Sequence, residues 1–259
     1  MRVVTTVRLP LFPLNTVLFP GLVLPLNVFE ERYRAMMRDL VKAHPNPPDD
    51  ADDDSREPRP FAVVAIRDGH EVARAAPGLP DPTATPDQGP TAGFGDDPLR
   101  AFHRTGCIAD AATVRERPDG SFEVLATGTS RVKLLSVDAS GPYLTAELEE
   151  LPEDPGQDAD ALAEGVLRAF RGYQKRLAGA RERSLATGAE LPDDPSVVSY
   201  LVAAAAVLDV PAKQRLLQAP DTASRLRDEL KLLRAETAVL RHLPSLPAVE
   251  LTRSPTSLN

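Results

Sequence analysis

The sequence has a single cysteine, Cys107, among its 259 residues. One cysteine cannot form an internal disulfide, and a chain of this length buries enough surface to fold without one. Because Cys107 lies in an apolar strand-like run, it is interpreted as a small buried hydrophobe rather than a reactive thiol. With a hydrophobic content of 42%, the chain is predicted to be globular, in two parts, and placed in the reducing cytoplasm.

The chain also lacks the run of about 20 apolar residues that a membrane-spanning helix needs. Its longest candidate, the alanine-rich stretch 197–208, has about half that length. The apolar N-terminus is interrupted by Pro10, Pro13, Pro20 and Pro25 and has no basic segment leading into a smooth apolar one, so it is not predicted to be a signal peptide. No membrane partner is expected.

Basic residues are outnumbered by acidic ones, 30 to 38, and histidine is scarce. The net charge is -8, which makes nucleic acid an unlikely partner because the protein and the phosphates repel each other. The four histidines form no H-E-x-x-H arrangement, a single cysteine excludes C-x-x-C, and neither a phosphate-binding glycine loop nor a G-x-S-x-G elbow occurs. The sequence predicts no catalytic residue, no metal site and no cofactor, and hence no enzyme.

Two segments have little apolar surface to bury. Residues 45–60 combine prolines with a run of aspartates, and residues 75–98 are rich in Pro, Gly, Thr and Asp. This composition predicts mobile loops inserted in a domain. The aspartate run, residues 49–54, lacks the glycine and glutamate that an EF-hand loop requires, so it is interpreted as a solvated acidic loop rather than a calcium site.

Short apolar runs separated by turn residues predict β-strands in the first half of the chain. These runs are residues 16–28, 61–67, 105–117, 121–127, 131–137 and 143–151. The Pro-Asp-Gly turn at 118–120 predicts a hairpin, and apolar residues at helical spacing predict one helix over 29–41. Strands that recur at this spacing are typical of a small barrel.

After Leu151 the apolar period changes to three or four residues, which predicts helices. Apolar residues at this spacing cover 162–177, 197–208 and 226–240, and a short helix is predicted over 211–218, between the last two. Asp194 and Asp221 stand where the N-caps of two of these helices are expected. The second half is therefore predicted to be a bundle of four helices.

Three stretches resemble the N-terminal region of Lon proteases. The opening, LPLFPLNTVLFPGLVLPLNVFEERYRAMM (Leu9–Met37), resembles the start of that domain, with its Leu-Pro-Leu motif, Pro-Gly kink and following helix. Residues 105–135 resemble the family's Gly-Cys/Thr-Ile/Val strand, Pro-Asp-Gly turn and Gly-x-x-Arg-Val strand, and Pro142-Tyr143 its Pro-Tyr step. Residues 191–233 are similar to its helical part. The resemblance covers nearly the whole chain.

The resemblance implies an α+β fold, with a PUA-like β pseudo-barrel over residues 1–152 and an α-helical bundle over 158–245. A flexible tail, 246–259, would follow. It also implies a role in recognising unfolded or degron-bearing (tagged) polypeptides. Because no G-x-x-x-x-G-K-S/T loop or protease segment occurs, neither ATPase nor protease activity is carried over. We expect a stand-alone module that could work with a separate protease or ATPase.

A polypeptide-binding surface needs exposed apolar side chains or a free strand edge. Prolines in the opening segment remove backbone donors, which predicts that its strands lie at an edge. The candidate binding residues are Phe12, Phe19, Phe29, Tyr33, Met36 and Met37. Methionine suits promiscuous binding because its side chain is flexible. Core packing is the alternative for each, since large apolar residues are usually inside.

A basic cluster in the first bundle helix keeps a nucleic-acid alternative open. It consists of Arg168, Arg171, Lys175 and Arg176, with Arg181 and Arg183 further on. PUA-like folds elsewhere bind RNA, and such a cluster could meet phosphates, although a charged helix face is usually just solvated. A third possibility is an adaptor that docks on a separate ATPase or protease through its last helix, residues 221–242. The sequence alone does not separate these functions.

Overall fold

The computed structural model describes residues 5–45, 57–67, 89–95, 97–181 and 192–242, without the side chains of 178–181 and 241–242. The strands are β1 (Thr6–Leu14), β2 (Val23–Val28), β3 (Pro60–Ala65), β4 (Thr105–Glu116), β5 (Phe122–Asp138) and β6 (Thr145–Glu150). The helices are α1 (Glu31–Ala43), α2 (Pro98–Ala101), α3 (Ala159–Arg181), α4 (Pro195–Ala205), α5 (Val210–Leu217) and α6 (Thr222–His242).

The strands form one six-stranded sheet in the order β2-β5-β4-β3-β1-β6. Because β5 also pairs with β6, all strands except β2 close into a barrel. β1 and β3 are parallel, and the other pairs are antiparallel. The expected α+β fold is confirmed: a PUA-like pseudo-barrel comes first and a helical bundle follows. The predicted hairpin is β4–β5, with Gly120 at φ 77° in its turn.

β5 serves two partners in succession. Its residues 122–127 pair with β2, and its residues 132–138 pair with β6. The sequence predicted two strands here, whereas the structure has one that continues through Gly128. A Cβ atom on Gly128 would lie 2.5 Å from the carbonyl oxygen of Phe19. Glycine therefore lets the segment before β2 approach β5, where the Gly128 N–H donates to the Leu22 carbonyl at 2.9 Å.

The strand predicted over residues 16–28 is shorter than expected, because β2 begins only at Val23. Pro20 lacks a backbone donor, and Gly21 has φ 77°, a conformation that turns the chain and favours glycine. The residues between β1 and β2 therefore form a turn that brings β2 against β5.

β1 was not among the predicted strands, and its prolines were expected at a sheet edge. In the structure β1 lies in the barrel wall, between β3 and β6. Residues 6–10 pair with β6 and residues 11–14 pair with β3. Each half therefore uses only one edge for its ladder, so Pro10 and Pro13 can lack a donor on the other edge without breaking the sheet.

Two apolar clusters fill the barrel. One combines α1 with residues such as Phe61, Cys107 and Val124, and the other contains Leu11 and Phe102. Cys107 is fully buried, and burial raises the pKa of its thiol to about 12. The complete burial confirms the interpretation of Cys107 as a small buried hydrophobe, and a thiol with a raised pKa stays protonated at neutral pH.

Part of the second segment predicted to be mobile is ordered. Residues 89–95 are described, and within them Phe94 is buried with its ring 4.8 Å from that of Phe102. Arg32 of α1 donates to the carbonyls of Ala92 at 2.8 Å and Pro90 at 3.3 Å. Composition missed this because one aromatic ring and a distant arginine hold a segment that is otherwise polar.

The first predicted loop is also ordered at its end. Arg59 is buried, and its Nε donates to the His44 carbonyl at 2.6 Å. The other residues of the two segments predicted to be mobile, 46–56, 75–88 and 96, lie outside the described residues. The aspartate run belongs to the first of these stretches.

Arg32→Ala is expected to release residues 89–95 and to lower the free energy of unfolding by roughly 2 kcal/mol, because two carbonyls lose a charged donor. Amide hydrogen exchange at Ala92 and Phe94 measures the release. Arg38→Ala is the control, since Arg38 lies on the same helix in an exposed pair with Glu31, which contributes little. Unchanged exchange at Ala92 and Phe94 would mean that aromatic packing alone holds the segment.

The four predicted bundle helices are confirmed as α3 to α6. Their shared core includes Val166, Phe170, Leu226 and Leu233. Both predicted N-caps are present: the Asp194 carboxylate accepts from the Ser196 N–H at 2.7 Å, and that of Asp221 from the Ser224 N–H at 2.7 Å. We propose that the predicted domains 1–152 and 158–245 correspond to the barrel and this bundle. The predicted tail, 246–259, lies outside the described residues.

Candidate functional site

Most residues predicted to bind a polypeptide lie in the core. Phe12, Phe19, Tyr33, Met36 and Met37 are buried. The rings of Phe12 and Tyr33 are 4.3 Å apart, and the Phe19 ring is 6.0 Å from that of Tyr200 in α4. The expectation that these five side chains form an exposed face is therefore corrected, because the apolar faces of β1 and α1 turn inward and Phe19, between β1 and β2, packs against the bundle. Only Phe29 of the predicted set is exposed, at 52%.

The outer face of β2 carries exposed apolar residues that the sequence did not single out. Successive side chains of a strand point to opposite faces. Leu24 and Leu26 pack against the barrel core, whereas Val23 and Pro25 are exposed. Phe29, directly after the strand, continues the exposed set.

β5 adds a leucine to this face. Leu125 is paired with Pro25 and is 46% exposed, and Val23 at the start of β2 is 57% exposed. We call Val23, Pro25, Phe29 and Leu125 the apolar strip. Contiguous exposed apolar side chains mark interaction sites more often than isolated ones do.

A shallow groove lies beside Pro25 and Leu125, the middle of the apolar strip. Its lining residues are Pro25, Leu26, Asn27, Thr113, Arg115, Glu123, Val124 and Leu125. Glu123 pairs with Arg117 of the hairpin turn, and this hydrogen bond raises the pKa of Arg117. The groove thus combines an apolar floor with a charged rim, an arrangement that admits apolar side chains while limiting self-association.

Among the described residues, β2 pairs on one side only, with β5. The Leu22 carbonyl accepts from the Gly128 N–H at 2.9 Å, and the backbone groups of an antiparallel strand alternate between its edges. The groups of Val23, Pro25 and Asn27 therefore point away from β5. Proline has no N–H, so the free edge offers the N–H groups of Val23 and Asn27 and the carbonyls of all three residues.

The basic residues predicted as an alternative nucleic-acid site lie on one helix. Arg168, Arg171, Lys175 and Arg176 are all exposed on α3. Arg168 pairs with Glu164 at 3.4 Å, and Asp160 stands in the first turn. Acidic residues at the start of a helix and basic ones toward its end complement the helix dipole. The cluster therefore has a structural explanation, and nucleic-acid binding stays a prediction.

A polar cluster joins the barrel to the bundle. We call Arg131 of β5, Glu153, Tyr200 of α4 and Arg225 of α6 the junction cluster. Glu153 accepts from Arg131 Nε at 3.0 Å and from an Arg225 guanidinium nitrogen at 3.0 Å, and it also accepts from the Tyr200 hydroxyl. Burial raises the pKa of Glu153, but the Tyr200 hydrogen bond and both arginines outweigh it, so this pKa lies below its usual range.

Arg131 makes further contacts across the junction. Its guanidinium donates to the carbonyls of Leu217 at 3.1 Å, Ala219 at 2.6 Å and Pro152 at 3.1 Å. Sequence periodicity missed this cluster, because its members are separated by long stretches of chain. One signal was available: an arginine next to Val132 in an apolar strand, within the Gly-x-x-Arg-Val motif.

The described ranges contain neither a candidate metal site nor a candidate membrane span. No group of three or more His, Cys, Asp and Glu side chains in these ranges is arranged to hold a metal ion. No helix in the same ranges has the length and apolar character to span a bilayer.

Comparison with known proteins gives a consistent family. Residues 8–235 match the family described as the ATP-dependent protease La (LON) substrate-binding domain. Lon protease 2 of Syntrophobacter fumaroxidans is 28% identical over 223 residues, which are 85% of this chain and 23% of that protein. The Lon protease of Brucella melitensis is 31% identical over 150 residues, 56% of this chain and 18% of that protein. The chain thus spans only a minor part of the relatives it matches.

A solved structure shows the same fold. The N-terminal domain of the Mycobacterium avium complex Lon protease superposes with a TM-score of 0.54, at 19% identity, over 91% of this chain and 100% of that chain. An identity this low supports the fold and no finer property. The family match over residues 8–235 is the stronger finding, and it shows that the chain belongs to the Lon substrate-binding domain family.

Proposed function

We propose that this protein is a non-catalytic polypeptide-recognition module that binds unfolded or degron-bearing chains along the apolar strip. The observation that carries the proposal is the exposure of Val23, Phe29 and Leu125 beside a strand edge that no other described residue pairs with. Membership of a family described by substrate binding supports a polypeptide as the ligand. A cytoplasmic location, in partnership with a separate protease or ATPase, belongs to the same proposal.

The apolar strip and the free edge of β2 recognise different parts of a bound polypeptide. Fully burying one Leu or Phe side chain contributes about 1.5–3 kcal/mol, so a few apolar contacts give useful affinity. A free edge offers main-chain hydrogen bonds that do not depend on the sequence of the bound polypeptide. Together they favour extended segments with apolar residues at alternate positions, which folded proteins bury and unfolded ones expose.

Leu125→Glu is expected to weaken binding of an unfolded polypeptide by about tenfold or more, because a 1.4 kcal/mol loss is tenfold in affinity. Fluorescence anisotropy with a labelled, permanently unfolded carboxymethylated protein measures the dissociation constant. Leu135→Glu is the matched control, since Leu135 is exposed on the same strand but outside the strip. Equal affinities for Leu125→Glu and the unmodified protein would exclude the strip as the binding site.

A salt series separates the proposal from the RNA alternative. Apolar binding should persist at high salt, whereas binding through phosphates falls steeply with salt. In parallel titrations with a structured RNA, Arg171→Glu combined with Lys175→Glu would abolish RNA binding if α3 were the site. Binding of RNA alone would overturn the proposal. If neither the unfolded polypeptide nor the RNA binds, the result would instead favour an adaptor that docks through α6.

A further inference from the structure

Glu229 of α6 is a buried carboxylic acid outside the junction cluster. It is 2% exposed, and neither carboxyl oxygen has a hydrogen-bond partner among the described residues. It borders a small cavity between α3, α4, α5 and α6, lined also by Tyr173, Val202, Ala203, Leu216 and Leu232. An ionised carboxylate without a partner is costly in such surroundings. Burial accordingly raises the pKa of Glu229, although the positive charge of Arg225 acts against it.

Arg225 lies one helical turn before Glu229, at a spacing that places both side chains on the same face of α6. Its guanidinium is fully buried and is already engaged. It donates to the Leu216 carbonyl at 3.2 Å, to Ser199 Oγ at 2.8 Å and to Glu153 at 3.0 Å. Arg225 is therefore close to two carboxyl groups and hydrogen-bonded to only one of them.

We propose that Glu229 is a proton-dependent latch on the junction between barrel and bundle. While Glu229 holds its proton, Arg225 remains bound to Glu153. When Glu229 releases the proton to solvent, Arg225 turns to Glu229 and releases Glu153. Because Glu153 also holds Arg131 of the barrel, this exchange loosens α6 from the barrel. The inference rests on the junction cluster and is independent of the apolar strip.

The surroundings of Glu229 favour Arg225 as the new partner. α6 itself contributes Asp228 and Glu236, which are both acidic. From α3, Tyr173 faces the cavity, and its hydroxyl accepts from the Val207 N–H at 3.2 Å. The residues of α4 and α5 that line the cavity are apolar, and Lys213 of α5 donates to the Ala204 carbonyl at 2.9 Å.

The latch implies a defined pH dependence of stability. A carboxyl group with a raised folded-state pKa contributes stability that is fully present below its unfolded pKa and lost as pH rises through its folded pKa. The Glu229→Gln variant keeps the shape of the neutral acid but cannot ionise. Its Tm, relative to the unmodified protein, should therefore increase as pH rises above about 4.3, the ordinary value for glutamate. Glu164→Gln on the exposed face of α3 should show no such trend.

The exchange itself is measured by NMR on the full chain, labelled with carbon-13 in Glu and nitrogen-15 in Arg. We expect the Glu229 carboxyl to titrate above its usual range and the Arg225 Nε–H signal to move with the same midpoint. The Glu153→Gln substitution removes the carboxylate that holds Arg225. Arg225 can then pair with Glu229 at lower pH, so the midpoint of the Glu229 titration should fall by about one pH unit or more.

Two results would overturn the latch. One is an Arg225 Nε–H signal that stays fixed while Glu229 titrates, and the other is a Glu229 midpoint that Glu153→Gln leaves unchanged. If Glu153→Gln does not fold, Glu229→Gln decides alone. The Arg225 signal must then lose its pH dependence above about pH 4.3, the ordinary value for glutamate, because Glu153 titrates only below it, and a signal that keeps the dependence there refutes the exchange.

Discussion

Arg131→Met is expected to lower the free energy of unfolding by about 3 kcal/mol, because it removes a buried arginine and its hydrogen bonds, although Glu153 is partly exposed and keeps Arg225 as its other partner. The Arg131 side chain is 3% exposed and pairs with Glu153. Its loss also leaves the carbonyls of Leu217 and Ala219 without their donor. Because these groups lie between barrel and bundle, the variant should also lose cooperativity between the two parts.

Urea unfolding followed by circular dichroism measures this change. Lys133→Met is the matched control: Lys133 lies two residues further along β5, its side chain is 55% exposed, and its pair with Glu149 is long, at 3.8 Å. An exposed pair of this kind contributes at most about 1 kcal/mol. A loss below about 1 kcal/mol for Arg131→Met would show that water replaces the buried contacts without cost.

Gly106→Ala is expected to lower the free energy of unfolding by about 3 kcal/mol or more, as overpacking in a rigid core does. A Cβ atom there would lie 2.3 Å from the carbonyl oxygen of Val63 and 2.8 Å from Cγ1 of Val64. The Val63 oxygen belongs to the backbone of β3, which pairs with β4. Relief therefore requires two paired strands to move apart.

The same substitution at Gly165 is the matched control. Gly165 lies in α3, where an added Cβ would meet nothing within 4 Å. Alanine stabilises a helix-interior position that has room for its Cβ by about 0.5–1 kcal/mol relative to glycine. Thermal unfolding of both variants should therefore give Tm shifts of opposite sign. A Gly106→Ala variant with an unchanged Tm would mean that β3 and β4 have room to separate.

The candidate site illustrates where sequence reasoning fails. Phe12, Tyr33 and Met36 were predicted to bind because large apolar residues cluster in the opening segment. Apolar character is the same in a core and in a binding surface, so composition cannot separate the two. Their contacts with Phe61 and the rest of the barrel cluster decided the matter. Leu125 was not predicted as a binding residue, because it lies far along the chain from β2 and joins the apolar strip only through its pairing with Pro25.

The sequence by itself determined the elements whose signals are local. The spacing of apolar residues predicted the four bundle helices, and the Pro-Asp-Gly turn predicted the β4–β5 hairpin. Asp194 and Asp221 predicted the starts of two helices. These signals involve residues within a few positions of one another, so a single segment suffices to specify them.

Only the tertiary structure decided which faces are buried and which charges meet. Arg32 orders residues 89–95, Glu153 joins Arg131 to Arg225, and β2 keeps one edge unpaired among the described residues. Each depends on strand register and on contacts between distant segments. A shift of register by one residue would turn every side chain of β2 to the opposite face, which is why Phe29 was the one residue of the apolar strip that the sequence predicted.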